Sequence, residues 1–358
     1  MSIKHIRINN FRCLEVISLE LDHRRNYFFG SNGSGKTSLL ESIYFLGKGR
    51  SFRTRQANKL VMYGHDSFSI FANTHGGNSL SLGAEFSQGS LKRQINGDYK
   101  IKPLDSALSL PVYVLDPNSH FLIEGGPSKR RQFIDWGVFH VEPDYLECWK
   151  EYRRALSQRN AAIKRGDNFR IWDQSYIDAG NKVNHSRSTY IEKLKNQLDK
   201  IDLDLIKKRI SIAYFKGWDE TLTFEQAVSS SATRDKVSGI SQVGPHRADM
   251  IIKFDAKGTK ENVSRGQQKL ITIALTLSQV NIFFEITKIE SLLLIDDLAA
   301  ELDLGSLQSF FSLLDKVPAQ VFITGLSKNY LPIKNEKYPM FHVEQGNVEL
   351  IDLSHDFN

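Results

Sequence analysis

Hydrophobic and polar positions alternate with period two through most of the first hundred residues. "KHIRINNF" and "ISLELD" set an apolar side chain at every second place, the pattern of a half-buried strand, and the short run "YFFG" reads as a buried one. "FSIFAN", "LSLGAEF" and "SLKRQING" continue the series. The last ends in Asn96-Gly97, a pair that tolerates the positive φ of tight hairpin turns, so an antiparallel meander is expected. "PVYVLDP" adds a short buried strand. From Pro127 the period becomes helical: Leu146, Trp149, Tyr152 and Leu156 recur on one face, as do Tyr190, Leu194, Leu198 and Ile201. Pro127 after Gly125-Gly126 suits a first helical turn. These apolar faces read as core, and no heptad series persists, so no long coiled coil is expected. Strand texture returns at "DMIIKF", a helix follows "VSRGQQ", and "LLLID" and "VFIT" read as two more buried strands. The pattern predicts an α/β head, a mixed sheet with an antiparallel meander, interrupted by helices. Residues 1–126 and 229–358 would form the head and residues 127–228 an inserted helical lobe.

Length and composition change this picture little. At 358 residues the chain suits one large α/β domain with an insertion, or two domains. Hydrophobic content of 41% and charged content of 25% suit a globular protein with a core. The two cysteines, Cys13 and Cys148, are far apart and lack metal-ligand spacing, which excludes a disulfide framework and a zinc signature and points to a reducing compartment. "MSIKHIRINN" has no apolar core of a signal peptide, and "LITIALTLSQVNIFFEI" is broken by Thr, Ser, Gln and Asn, so a soluble, cytoplasmic protein without membrane association is expected. Forty-seven Lys plus Arg against 41 Asp plus Glu give +6, which suits a nucleic-acid partner and plain solubility equally.

Candidate chemistry enters at "GSNGSGKTS". Gly30, Gly35, Lys36 and Thr37 match G-x-x-x-x-G-K-[ST], between a short apolar strand and a helix. The loop Gly30, Ser31, Asn32, Gly33, Ser34, Gly35 would curl its N–H groups round the phosphates of ATP, with Lys36, Thr37 and Ser38 at the positive end of the helix. Lys36 would reach the β- and γ-phosphates and the Thr37 hydroxyl would ligate Mg²⁺. "SLLLIDD" supplies the carboxylates. Asp296, at the end of a buried strand where open α/β sheets present their ligands, would hold Mg²⁺, and Asp297 would orient or deprotonate the attacking water. A helix cap with a solvated neighbour is the plainer reading of the two aspartates, and the phosphate loop weighs against it.

Ser264 to Gln267 has the form of a capping box, with Gly266 leaving the helix end uncluttered for an anion. A phosphate loop near the N-terminus, then Ser264-Arg265-Gly266-Gln267-Gln268 ahead of the Asp296 strand, then Ala300-Glu301-Leu302-Asp303, resembles the ATP-binding-cassette head. Within that superfamily "INNFRCLE", "GSNGSGKTSLLESIYFLGKGRSFRT", "LDPNSHFLIEGGPSKRRQFIDW", "VGPHRADM", "SRGQQKL" and "LLLIDDLAAELD" occur in the order of the RecF family, a resemblance over nearly the whole chain. It implies a head like those of Rad50 and SMC proteins without the long coiled coil. It also implies an ATP-driven homodimer in which Ser264, Arg265, Gly266 and Gln267 of one copy close on the γ-phosphate held by the other. Such a dimer would bind DNA at single-/double-strand gaps and, with RecR and indirectly RecO, help load the RecA recombinase. Arg12 matches a position that approaches the nucleotide; for Arg50, Arg53 and Arg55 spacing does not separate nucleotide from DNA contact.

Asp297 stands where transporter-type heads carry Glu, "VFITGLSKN" offers Thr324 where they carry a switch histidine, and no Q-loop glutamine is evident near "VLDPNSHF". These departures suit a weak ATPase acting as a slow switch better than a pump. From Ser128 to Arg165 nine Lys plus Arg face five Asp plus Glu, and Lys150, Arg153 and Arg154 fall on one helix side, where they would meet DNA phosphates or pair with Glu147 and Glu151. Two other readings are the nucleotide-binding subunit of a membrane transporter and a standalone cassette ATPase partnering a nuclease. The helical insertion and "GPHRADM" weigh against the first, and the lack of a second carboxylate cluster against the second.

Overall fold

The alternating N-terminal segment forms β1 (Ser2–Phe11) and β2 (Leu14–Glu20), joined by a turn in which Arg12 takes φ 58°. The computed structural model describes residues 2–75, 79–201, 209–255, 257–259, 263–297, 303–327 and 338–351. In chain order there follow β3 (Arg25–Phe29), α1 (Lys36–Lys48), β4 (Ser67–His75), β5 (Ser81–Ser87), β6 (Ser90–Ile95), α2 (Pro103–Ser109) and β7 (Val112–Leu115). The helical stretch holds α3 (Phe121–Glu124), α4 (Pro127–Val141), α5 (Tyr145–Arg165), α6 (Asp173–Leu198), β8 (Ile210–Phe215) and α7 (Phe224–Ser238). The chain closes with β9 (Asp249–Phe254), β10 (Lys257–Gly258), α8 (Arg265–Thr287), β11 (Ser291–Ile295), α9 (Leu304–Leu314), β12 (Ala319–Gly325), β13 (Met340–Glu344) and β14 (Asn347–Ile351).

These elements divide into two units, one of residues 1–119 with 283–358 and one of residues 120–282. The first holds two sheets, an antiparallel one ordered β2-β1-β4-β5-β6 and a mixed one ordered β14-β13-β3-β12-β11-β7. β4 alternates half-buried and buried residue by residue, as one face on a core requires. β11 and β12 are buried at every position, as parallel strands covered on both faces are. α1 is buried on nearly every side. Its Leu39 and Ile43 share one apolar cluster with Ile6, Ile8 and Phe68 of the antiparallel sheet and with Leu292, Phe322 and Phe341 of the other. Gln320, fully buried on β12, is satisfied by backbone alone: its amide donates to Ile3 O at 2.8 Å and Asp22 O at 2.7 Å and accepts from Ile3 N at 2.7 Å.

The meander's tight turn lies at Gln88–Gly89, with φ 51° and 75°, and not at Asn96–Gly97. The latter pair does turn, at 51° and 81°, but only folds Asp98 back on Ile95 as an isolated bridge. β6 is therefore an edge strand, and it carries Lys92 and Arg93.

The second unit is wider than the residues 127–228 expected from helical texture. β9 pairs antiparallel with β8 from Ile210 to Phe215, so the returning strand closes on this unit. Tyr190, Leu194, Leu198 and Ile201 are buried, as the periodicity requires. A buried polar core accompanies them. Arg187 forks onto Asp135, Nε to Oδ1 at 2.7 Å and Nη2 to Oδ2 at 3.0 Å, and gives Nη1 to Pro245 O at 2.6 Å. Arg159, with no exposed side-chain surface, donates to Asp173 at 2.8 Å and to Asp235 and Ser241 at 2.7 Å each. His246 Nε2 faces Ser241 O at 3.0 Å and so carries the proton, leaving Nδ1 to accept from Tyr152 at 2.7 Å. Burial lowers His246 to about 4, which keeps it neutral between these partners. α8 is long and apolar enough to cross a bilayer, yet 72% of its most apolar window is buried within the protein, as in a core helix.

Candidate functional site

β3, β12 and β11 run parallel and side by side, so Phe29, Gly325 and Ile295 end at one edge of the sheet. The chain leaves β3 through the glycine-rich loop and enters α1 at Lys36. Gly33 and Gly35 take φ 81° and 119°, which curls the loop ahead of the helix N-terminus. Gly30 N–H donates to Gly325 O at 3.3 Å, tying the loop to β12. Lys36 is only 3% exposed, and its ammonium donates to Gly30 O at 2.8 Å and Ser31 O at 2.9 Å. Two of its three donors thus fix a positive charge within the curl.

Asp296 follows β11 and is 3% exposed. The Thr37 hydroxyl donates to its Oδ1 at 3.0 Å and the Thr324 hydroxyl to the same oxygen at 2.9 Å. Burial pushes the Asp296 carboxyl up to about 6, with the Thr324 hydrogen bond opposing the shift and the Asp297 charge adding to it. Asp297 takes φ 48°, its N–H donates to Thr324 Oγ1 at 2.9 Å, and its Oδ1 is buried without a hydrogen-bond partner among the described residues. Thr324 therefore positions both aspartates. The Thr37 hydroxyl and the buried Asp296 carboxylate are hard oxygen donors, the kind that fits Mg²⁺.

Arg12 lies in a fork with fully buried Glu41, Nε to Oε2 at 3.0 Å and Nη2 to Oε1 at 2.9 Å, and its Nη1 donates to Lys59 O at 2.9 Å. Ser51 also donates to Glu41, and Arg53 lies 3.9 Å from it. Sequence reasoning missed Glu41, which follows Lys36 on the helix and left no signal of its own. Arg50 and Arg55 are exposed.

At the start of α8, Gln267 N–H donates to Ser264 Oγ at 3.3 Å and Ser264 N–H to Gln267 Oε1 at 3.0 Å, a reciprocal cap. Ser264 and Arg265 are exposed. A Cβ on Gly266 would meet nothing nearer than Ser264 Oγ at 4.0 Å, so no packing within the chain demands the glycine. Of the segment Ala300-Glu301-Leu302-Asp303, the first three lie outside the described residues, and Asp303 caps α9 by accepting from Ser306 N at 2.9 Å.

Lys150, Arg153 and Arg154 are exposed on α5. Lys150 pairs with Glu147 at 2.7 Å, and the Arg153 guanidinium lies 5.0 Å over the Trp149 ring. Glu151 faces Lys182 of α6 at 3.7 Å, not the α5 cations, so these keep much of their charge open to solvent.

The family described as RecF/RecN/SMC N terminal domain matches residues 2–349. A protein of Thioalkalivibrio sulfidiphilus named DNA replication and repair protein RecF is 33% identical, covering 98% of this chain and 100% of that protein. One of the same name from Shewanella oneidensis is 35% identical, again covering 98% and 100%. Among solved structures, one described as the recombination mediator protein RecF with ATP in the RecFOR pathway superposes with a TM-score of 0.85 at 26% identity, over 98% of both chains. An Smc head bound to the winged-helix domain of ScpA shares the fold, with a TM-score of 0.61 at 14% identity over 99% of this chain and 98% of that one.

Proposed function

The chain belongs to the RecF family, with the fold of an ATP-binding-cassette head, and from that premise we propose that it is an ATP-switched DNA-binding protein of replication and recombinational repair. The observation that carries the reading is the meeting of Thr37 and Asp296 at 3.0 Å beside the phosphate loop, with Lys36 held inside it. ATP lies with its phosphates in the loop from Gly30 to Ser38. Thr37 and Asp296 would hold Mg²⁺, which when bound would offset phosphate charge. Asp297 keeps its orphaned oxygen for the attacking water, which makes it the general base of a slow hydrolysis that resets the switch. The capped, exposed start of α8, Ser264 to Gln267, closes on the γ-phosphate bound by a second copy, so ATP pairs two heads. The pair binds DNA at single-/double-strand gaps, Lys150, Arg153 and Arg154 meeting backbone phosphates, and acts with RecR and, through it, RecO in loading RecA. The relatives' name favours this reading over a transporter subunit.

The test is a DNA titration with ATP, ADP and no nucleotide, with association state followed in parallel. Binding should be tightest with ATP and fall with salt, the slope of log affinity against log salt steepening by roughly 0.7 to 0.9 per phosphate contact. Changing Lys150, Arg153 and Arg154 together to Glu should weaken all sequences equally and flatten that slope by about two to three. Equal affinity in all three nucleotide states, while ATP still pairs the heads, would falsify the switch.

The Asp296 carboxyl predicts a pH dependence. Its folded value, about 6, lies above the ordinary 3.8, so burial disfavours the charged form. The resulting destabilisation is full above pH 6 and fades as pH falls from 6 towards 4. Protons compete with Mg²⁺ for the same oxygens, so Mg²⁺ affinity should drop about tenfold per pH unit below 6. Titrations of Mg²⁺ in the presence of ATP at several pH values check this, and Asp296→Asn should cost most of the affinity and leave only the pH dependence of ATP's own terminal phosphate, which titrates at about 6 as well.

A further inference from the structure

We propose that the β13–β14 hairpin is a positioning element for the phosphate loop, and that Gly346 at its tip holds the loop in its phosphate-cradling shape. The inference rests on the reading that this loop binds ATP. Gln345 and Gly346 form a two-residue turn with φ 48° and 84°, the conformation of hairpin turns that need positive φ at both places. At the two comparable turns among the described residues the glycine faces open space: a Cβ on Gly89 or on Gly97 would have no neighbour within 4 Å. Gly346 differs. Its N–H donates to Ser34 O at 2.8 Å, inside the loop, and a Cβ on it would lie 2.0 Å from Cys13 O.

The loop glycines report the same clasp from the other side. A Cβ on Gly30 would lie 2.1 Å from Val343 O of β13. One on Gly35 would lie 3.2 Å from both Cys13 Sγ and Leu14 Cδ2 and 3.5 Å from Gly346 Cα. Gly33, between them, would meet nothing within 4 Å. Gly30 therefore allows backbone-to-backbone packing against β13, Gly35, at φ 119°, lets the Cys13 and Leu14 side chains close in beside the hairpin tip, and Gly33 faces open space. The loop is gripped on two sides, and the grip fixes where its N–H groups point. A side chain at position 346 pushes the tip away from Cys13, breaks the bond to Ser34 and releases the curl.

The test compares Gly346→Ala with Gly89→Ala in the full chain, measuring ATP affinity per folded molecule. Both lose a turn glycine of positive φ, so strain alone predicts equal behaviour. The inference expects at least a tenfold loss of ATP affinity in the first and a change within twofold in the second. A Gly346→Ala chain that folds and binds ATP within twofold of the parent overturns it. Hydrogen exchange on the unmutated protein makes the test independent of whether the variant folds. ATP should slow exchange at the Gly346 amide together with residues 30–36 and leave Asp98, beyond the Asn96–Gly97 turn, unchanged. Slowing in the loop without slowing at Gly346 refutes the coupling. A parent that fails to bind ATP overturns the functional reading and this inference with it, whereas a binding parent with an unaffected variant overturns the inference alone.

Discussion

Lys36→Ala is expected to weaken ATP binding by about two to three orders of magnitude. The ammonium is buried and held by Gly30 O and Ser31 O, so its position is set before any phosphate arrives and little entropy is lost when one does. One N–H is left for the phosphates, and a charge-assisted hydrogen bond of about 1.5–3 kcal/mol, with the attraction of the ammonium for both the β- and γ-phosphates added, gives the expected factor. Lys36→Arg should not rescue binding, because a planar guanidinium does not fit a site sized for a compact ammonium that is 3% exposed. The unliganded protein should lose about 1–3 kcal/mol, because the carbonyl of buried Gly30 is left without its donor, whereas the Ser31 carbonyl belongs to an exposed residue that water can reach. Equilibrium titration with ATP decides the matter: a loss of less than tenfold would mean that the loop backbone alone carries the phosphates.

Arg159→Met should destabilise the second unit by about 3–5 kcal/mol. Arg159 and Asp235 are both fully buried, with Nη1 2.7 Å from Oδ2. Asp235 also accepts from Gln242 N at 2.9 Å, so the carboxylate cannot turn elsewhere for a cation. Met fills a similar volume, and the cost is therefore the uncompensated charge and not a cavity. A second change, Asp235→Asn, should recover part of the loss by removing that charge. All four tryptophans of the chain, Trp136, Trp149, Trp172 and Trp218, lie in this unit, so their fluorescence in urea reports its unfolding directly. A shift below about 1 kcal/mol would show that water or Ser231, 3.2 Å from the same oxygen, already satisfies Asp235.

The elements that sequence reasoning found are those whose signal is local. Alternation marked β4 and the middle of β1, continuous apolar runs marked β11 and β12, and the phosphate loop and Asp296 carried spacing tied to one chemistry. What it missed depends on partners distant in sequence. Glu41 is an ordinary helical residue until Arg12 and Ser51 converge on it. Thr324 stood out only for not being histidine, and its role emerges when β12 and β11 lie in register. The turn at Gln88–Gly89 escaped notice because Gln has no preference for positive φ, while Asn96–Gly97 has that preference and serves a lesser purpose. The wider second unit follows from the pairing of β8 with β9, which no period along one strand reveals.

β6 closes the antiparallel sheet on one side, and among the described residues no strand pairs with its outer N–H and C=O groups beyond the bridge of Ile95 to Asp98. Such a row is a template on which another molecule of the same chain could add a strand, and repetition of that step makes fibres. The strand is short, and exposed Lys92 on it, with exposed Lys100 and Lys102 just beyond, would bring like charges together whenever two copies approach edge to edge, while Arg93 is turned in to donate to Gly49 O at 2.9 Å. On that account part of the chain's basic excess would oppose edge-to-edge association of crowded copies, a colloidal duty separate from any ligand.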